Sequence, residues 1–300
     1  MRYYGVQNEV KSYLNRLQSE DGIEVSLGTV KTLNDRVEAL KKSGVWSQYG
    51  LGFNDGDADR YFQRATVRDA IGRFEVCLFV RGMKTLGLWQ NMVSWPMRSY
   101  QNVGTGSIVY SLGGLGVYNG SMVNSPTWGA NGVTVNTGQS ITLATSIICP
   151  ELVSTGFVVQ PLTNSGENYI FSDQSINGLF LNHHWTSQGR HLGCVPAGLN
   201  TSYGCGQYSI QSGFFNDLSL KFLTFQRIIA GTYPNILANG VLKNGGSQGT
   251  DLTPAINRTM TNLRCIKDSL YSIIILGSNF NMEIVRPLYK LTLGSNLGLP

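Results

Sequence analysis

The sequence predicts a mainly β protein, a sandwich or jelly roll behind a helical N-terminal region. Three observations carry that expectation. Only 14% of the 300 residues are charged and 36 are Gly, against about 25% and ~7% in ordinary soluble proteins. From about residue 100 the chain runs in short alternating or apolar stretches broken by Gly, Asn and Ser. Asn119-Gly120, Asn131-Gly132, Asn177-Gly178 and Asn239-Gly240 punctuate that region, and Asn-Gly is a strong hairpin signal because both centres of a type I′ turn need positive φ.

The helical region comes first. Val6, Val10, Tyr13, Leu14 and Leu17 fall on one face of a first helix. Val30, Leu33, Val37 and Leu40 do so on a second, with Ser26 or Thr29 as its cap and Gly44 at its C-terminal end. A third helix is expected from about Thr66 to Lys84, with Ile71, Phe74, Cys77 and Leu78 inward. Gly72 and Gly82 weaken it. An internal repeat links two of these helices. Val37-Glu-Ala-Leu-Lys-Lys-Ser-Gly-Val-Trp46 aligns with Val80-Arg-Gly-Met-Lys-Thr-Leu-Gly-Leu-Trp89. Each copy is an amphipathic helix that turns at Gly and can fold its Trp back onto the helix end. Repeated units of this kind pack on each other or on neighbours, so Leu40, Trp46, Met83 and Trp89 are the candidate assembly residues.

Strands are expected at 107–110, 132–135, 141–143, 156–160, 169–172, 179–181, 218–227, 237–238, 241–243 and 270–276. The spacing is that of a β-sandwich or jelly roll. The run Tyr271-Ser-Ile-Ile-Ile-Leu276 is far short of the ~20 apolar residues of a membrane helix and reads as a buried strand. The segment 281–293 reads as a helix, with Pro287 kinking it or lying in its first turn. The domain division is therefore 1–99, helical, and 100–300, β.

Charge and cysteine content narrow the function classes. The net charge of +5 is dispersed, and its densest basic stretch is Lys41-Lys42. Neither a nucleic-acid partner nor membrane insertion is expected. The start, Met-Arg-Tyr-Tyr-Gly, carries no apolar signal region, so synthesis in a cytoplasm without standard export is expected. Cys77, Cys149, Cys194, Cys205 and Cys265 are odd in number and widely spaced, which points to free buried thiols.

Three segments together carry a resemblance. The first is Ser111-Leu-Gly-Gly-Leu-Gly-Val-Tyr-Asn-Gly-Ser-Met-Val-Asn-Ser-Pro-Thr-Trp-Gly129 with the following Ala-Asn-Gly-Val-Thr-Val135. It looks like the opening hairpin of laminin-G-like, concanavalin A-like jelly rolls. The second, Ile236-Leu-Ala-Asn-Gly-Val-Leu242, resembles a late hairpin of the same fold. The third, Leu288-Tyr-Lys-Leu-Thr-Leu-Gly-Ser-Asn-Leu-Gly-Leu-Pro300, is similar to the endings of tailed-bacteriophage virion proteins that carry this jelly roll. The helix with Lys-x-x-Gly-(Val/Leu)-Trp resembles segments that precede such jelly rolls in phage appendage proteins. The resemblance covers most of the chain. It implies a non-enzymatic structural component of the virion, an appendage, decoration or tail protein made in the host cytoplasm. Its partners would be other virion proteins and further copies of itself.

Catalytic and metal-binding patterns were weighed against this. A concanavalin A-like glucanase needs two carboxylates across a sugar ring, close together on one strand. Glu151, Glu167, Asp173 and Asp217 are isolated from one another. His183, His184 and His191 lie near Cys194 and Cys205, but the spacing matches no familiar zinc module, and adjacent histidines on a strand point to opposite faces. Asp55-Gly-Asp-Ala-Asp59 lacks the Gly and Glu of an EF-hand loop and reads as a helix cap or a solvated turn. Gly113, Gly114 and Gly116 lack the ending of a phosphate loop and read as a turn. No cofactor or metal is expected.

The alternative is a host-glycan-binding receptor protein. Sugar sites pair an aromatic face with polar groups for the hydroxyls. Trp185 and Tyr203, with Asn182 and Asn200, sit in polar, turn-rich sequence and are the candidates, either as packing residues or as the lining of a sugar site. Trp128 follows Pro-Thr and is expected in the core.

Overall fold

A computed structural model describes residues 55–144, 147–149, 153–162, 168–173, 180–186, 189–195, 218–226, 235–242, 258–260, 263–266, 268–278 and 281–300. Two large antiparallel sheets dominate it, flanked by helices. Sheet A has eight strands: β1 (Met92–Pro96), β4 (Thr127–Gly129), β5 (Gly132–Val135), β8 (Val153–Pro161), β12 (Lys221–Gln226), β13 (Asn235–Ala238), β14 (Val241–Leu242) and β17 (Ser269–Ser278). Their order is β14-β13-β12-β8-β17-β5-β4. β1 continues the β5 position along the same edge of β17, with Trp95 opposite Ile274 and Met92 opposite Gly277.

Sheet B has seven: β2 (Ile108–Val109), β3 (Gly120–Val123), β6 (Ser140–Ala144), β9 (Asn168–Asp173), β10 (Phe180–Thr186), β11 (Gly189–Val195) and β16 (Leu263–Ile266), in the order β11-β10-β9-β16-β6-β3-β2. A small third sheet pairs β7 (Ile147–Cys149) with β15 (Arg258–Met260). This is the mainly β, sandwich-like architecture that the sequence predicts. Each strand expected from the sequence has a counterpart here.

The helices are α1 (Gly56–Ala65), α2 (Ala70–Thr85) and α3 (Met282–Leu291). Where one helix from Thr66 was expected, the chain breaks instead. Thr66 ends α1 at φ +51°, and α2 starts afresh on Asp69, whose carboxylate accepts from the Gly72 N–H at 2.9 Å. Asp55 caps α1 by accepting from the Asp57 and Ala58 N–H groups. That settles the Asp55–Asp59 cluster as a helix cap, and Lys84 of α2 holds both Asp55 and Asp57 at 2.7 Å. Asn281 caps α3 through the Glu283 N–H, and Pro287 lies in the helix interior rather than its first turn.

The second copy of the repeat closes α2 as its sequence suggests. Gly87 takes φ +70°, its N–H reaches the Lys84 carbonyl at 2.9 Å, and the Leu88 N–H reaches the Met83 carbonyl at 2.9 Å. This is a Schellman cap, which needs a left-handed residue where the helix stops. Trp89 then folds back, with the Lys84 ammonium 5.7 Å from its ring centre. The first copy, 37–46, lies outside the described residues, as do the two helices expected around 6–17 and 30–40.

The core explains why sheet A is central. Val158, Phe222, Ile273 and Ile275 point to one side, where they join Phe74, Phe79, Met83, Trp89, Val285, Leu288 and Tyr289 of the helical layer. The alternate residues Phe157, Leu223 and Ile274 are also buried and by strand alternation face the other way, toward sheet B. Residues 92–96 precede the expected domain boundary at 99/100, yet they form a strand of sheet A.

Candidate functional site

Sheet B is covered differently from sheet A. In β3, Gly120 and Met122 are buried while Ser121 and Val123 are exposed; in β2, Val109 is buried and Ile108 exposed. Ile108 pairs with Ser121, Ser121 with Thr142, and Val123 with Ser140. In β6, Ile141 and Leu143 are fully buried. One face of this end of sheet B therefore packs inward, and the other presents small uncharged side chains to solvent. Ile108 and Val123 are each 42% exposed there, and Val117 of the β2–β3 connection is 61% exposed.

The edge of this surface is protected. Asn102 bridges the backbone beside β2: its amide donates to the Pro96 and Tyr110 carbonyls, and its carbonyl accepts from the Val103 and Tyr110 N–H groups. These bonds occupy edge groups that would otherwise recruit another strand. Gly113 and Gly114 seat the loop after β2 against the backbone at residues 89–93, where a Cβ at Gly113 would meet the Met92 carbonyl oxygen at 2.2 Å. Their role is the turn expected from the sequence.

The same sheet carries part of the candidate glycan site. Asn182 and Trp185 lie in β10, with Asn182 opposite Tyr169 of β9 and Gly193 of β11, and Trp185 opposite Arg190. The paired row Ser121, Thr142, Arg264, Ser172, Phe180 crosses the sheet. By the pleat's period of two, backbone position 182 falls on the face of this row and position 185 on the opposite face. Tyr203 and Asn200 lie outside the described residues. His183 and His184 are adjacent in β10, and His184 pairs with His191. Among the described residues no group of three or more His, Cys, Asp or Glu side chains is placed to hold a metal ion. Trp128 is partly exposed, and its indole N–H donates to the Gly106 carbonyl at 3.1 Å. It is not the core residue expected; Trp95 is fully buried instead, and its N–H donates to the Tyr118 carbonyl at 2.6 Å.

The candidate assembly residues divide likewise. Leu40 and Trp46 lie outside the described residues. Met83 and Trp89 are 0% and 3% exposed within the chain's own core. Their helix face is spent on sheet A and α3, which corrects the expectation of a free docking face at these two residues. Cys77 is buried, as expected, and burial pushes its thiol up to about 12.

Several of the described acidic groups serve the fold. Asp55 and Asp69 cap helices, Glu283 holds Thr224 and Arg286, and Asp268 accepts from the Thr137 hydroxyl. Of the four carboxylates weighed as catalytic, Asp173 ends β9, and Glu151, Glu167 and Asp217 lie outside the described residues.

A polar cluster that sequence reasoning missed lies at the opposite side of sheet A. Glu75 of α2 is fully buried. Its carboxylate accepts from the Ser295 hydroxyl, and from the Gln101 amide at 2.5 Å. Burial pushes its pKa up to about 7, against the pull of Ser295, Arg98, Gln101 and Tyr100. Arg98 reaches three carbonyls, those of Ala130, Leu293 and Ser295, each at 2.9 Å. The cluster ties α2, the chain after β1 and the C-terminal segment together. Its sequence signal was a carboxylate in the apolar run Phe74-Glu-Val-Cys-Leu-Phe-Val80, four residues after Ile71.

No family model matches the chain, and no curated protein does. Solved structures give broad likenesses. Trypanosoma rangeli sialidase in complex with sialic acid is 10% identical, over 66% of this chain and 32% of that one, with a TM-score of 0.41. The Emp47p carbohydrate recognition domain is 7% identical, over 62% and 95%, with a TM-score of 0.39. Domain 4 of AbnA, an extracellular arabinanase from Geobacillus stearothermophilus, in complex with arabinotriose, is 16% identical over 66% and 87%, with a TM-score of 0.33. The chain spans about a third of the sialidase's length. Likenesses at these scores assign no activity. Among the described residues, no helix is long and apolar enough to cross a membrane.

Proposed function

We propose that the chain is a non-enzymatic structural component of a tailed-bacteriophage particle, an appendage, decoration or tail protein that presents the outer face of sheet B to its partners. The observation that carries this reading is the unequal covering of the two sheets. The central strands of sheet A, β1, β8 and β17, are buried by the chain itself, while the β2–β3–β6 end of sheet B keeps an uncharged, partly apolar face in solvent. Depletion of charge is what an interface core needs, and a chain only 14% charged fits a subunit that buries surface in assembly. The partners are other virion proteins and sibling copies in a small closed ring, since most homo-oligomers close on themselves.

Light scattering on the full chain at two concentrations tests this, together with the amount of the chain in purified particles. A stable oligomer, or incorporation into particles, that is lost in Val123→Asp with an unchanged circular dichroism spectrum supports the reading. A monomer absent from particles, or a variant that assembles like the parent, overturns it.

One observation favours a second reading, binding of a host-surface glycan. By register, backbone position 182 falls on the face of sheet B that carries Ser121, which supports a reading in which this face takes a glycan. Loss of glycan-array or host-cell binding in Asn182→Ala would support it, and full retention would exclude that position.

A further inference from the structure

The buried cluster around Glu75 does work that the assembly reading leaves unused. We propose that Glu75 is a pH-sensitive latch on the C-terminal segment: with its carboxyl neutral it holds residues 292–300 against α2, and with its carboxylate ionised that hold loosens.

The geometry is unusual for an acid. Glu75 is fully buried, and its hydrogen bonds come from neutral donors, the Ser295 hydroxyl, the Gln101 amide and the Tyr100 side chain. The one cation acting on it is Arg98, whose guanidinium gives its hydrogen bonds to the Ala130, Leu293 and Ser295 carbonyls. A buried carboxylate without a hydrogen-bonded cation bears its desolvation cost when charged and sheds it when protonated.

The surroundings leave Glu75 as the group that titrates. Tyr100, from the chain after β1, and Tyr289, from α3, face it and are both pushed up by burial, so they stay neutral. Asp69 acts on the cluster through Tyr100. The Glu75 value of about 7 lies above the ordinary 4.5. The folded state therefore holds the proton more tightly than the unfolded chain does. Stability from this group is fully present below about 4.5 and is lost as pH rises through about 7.

The anchor is specific to the tail. Ser295 donates to Glu75, and Leu293 is bonded from two sides, by Arg98 and by the Gln101 amide at 2.7 Å. Gly294, Ser295 and Leu297 amides close the segment on the Tyr289, Thr292 and Gly294 carbonyls.

Hydrogen exchange of those three amides, expressed as protection over the free-peptide rate, tests the latch at pH 5.5 and 8.5. The parent chain is expected to lose about tenfold in protection at the higher pH, and Glu75→Gln to show the same protection at both. Equal protection of the parent at the two pH values overturns the latch, as does a variant with the parent's pH dependence. Should Glu75→Gln fail to fold, Ser295→Ala decides. It removes a donor that favours the charged form, so the transition moves to higher pH, and an unmoved transition overturns the proposal.

Discussion

The two sheets of this molecule are built from the same residue types but face different surroundings. Sheet A is the middle layer. Its strand β17 runs Tyr271-Ser-Ile-Ile-Ile-Leu276 with every residue buried, the helices covering one face and the other face buried as well. Strand β3 of sheet B alternates strictly, buried at Gly120 and Met122 and exposed at Ser121 and Val123. A continuous apolar run marks a strand packed on both sides, and alternation marks one with a free face. The difference locates the surface that the proposed assembly would use.

Substitutions can break or sharpen that contrast. The largest effect is expected from Phe222→Ala. Its ring is 1% exposed on the helix side of sheet A, 5.7 Å from the Tyr289 ring between centroids. A loss of about 3–5 kcal/mol in denaturant unfolding is expected, the usual cost of deleting a buried aromatic. Gly72→Ala comes next. A Cβ there would lie 1.9 Å from the Tyr100 carbonyl oxygen, a backbone atom that cannot swing aside. Overpacking of this kind costs about 1–3 kcal/mol, more than any gain in helix propensity, and the unfolding midpoint should fall accordingly.

Asp69→Ala removes the cap of α2 and should cost about 1 kcal/mol by the same measurement. Val123→Ser, on the open face, should change stability by no more than about 0.5 kcal/mol. A cost near that of Phe222→Ala would mean that this face of sheet B is covered too.

The sequence reading succeeded where local chemistry decides the backbone. Asn239-Gly240 is a two-residue turn between β13 and β14, and both residues take positive φ, 51° and 83°, as the Asn-Gly signal requires. Asn131-Gly132 behaves otherwise. The turn there is Ala130-Asn131, with Gly129 paired to Gly132, so the dipeptide was shifted by one position. Strand β1, Met92–Pro96, was not anticipated. It is short, buried throughout and without alternation, so it carries no period to read.

Long-range packing hid the rest. Met83 and Trp89 look like an exposed amphipathic stripe in the repeat, but α3, some two hundred residues on, packs over that layer. The Glu75 cluster depends on a partner, Ser295, at a separation of 220 residues. Of the residues expected to line a sugar site, Asn182 and Trp185 lie in one strand, and Asn200 and Tyr203 lie outside the described residues. Register, which separates positions 182 and 185 by face, needed the pairing with β9 and β11.

On this structure the helices and sheet A form one cooperative unit, with the outer face of sheet B outside it. Native-state hydrogen exchange tests it directly, by comparing opening free energies of amides in α2 with those in β17. The account predicts equal values, both set by global unfolding. Amides of α2 that open with a free energy several kcal/mol below those of β17 would contradict it, because the helices would then be a detachable layer.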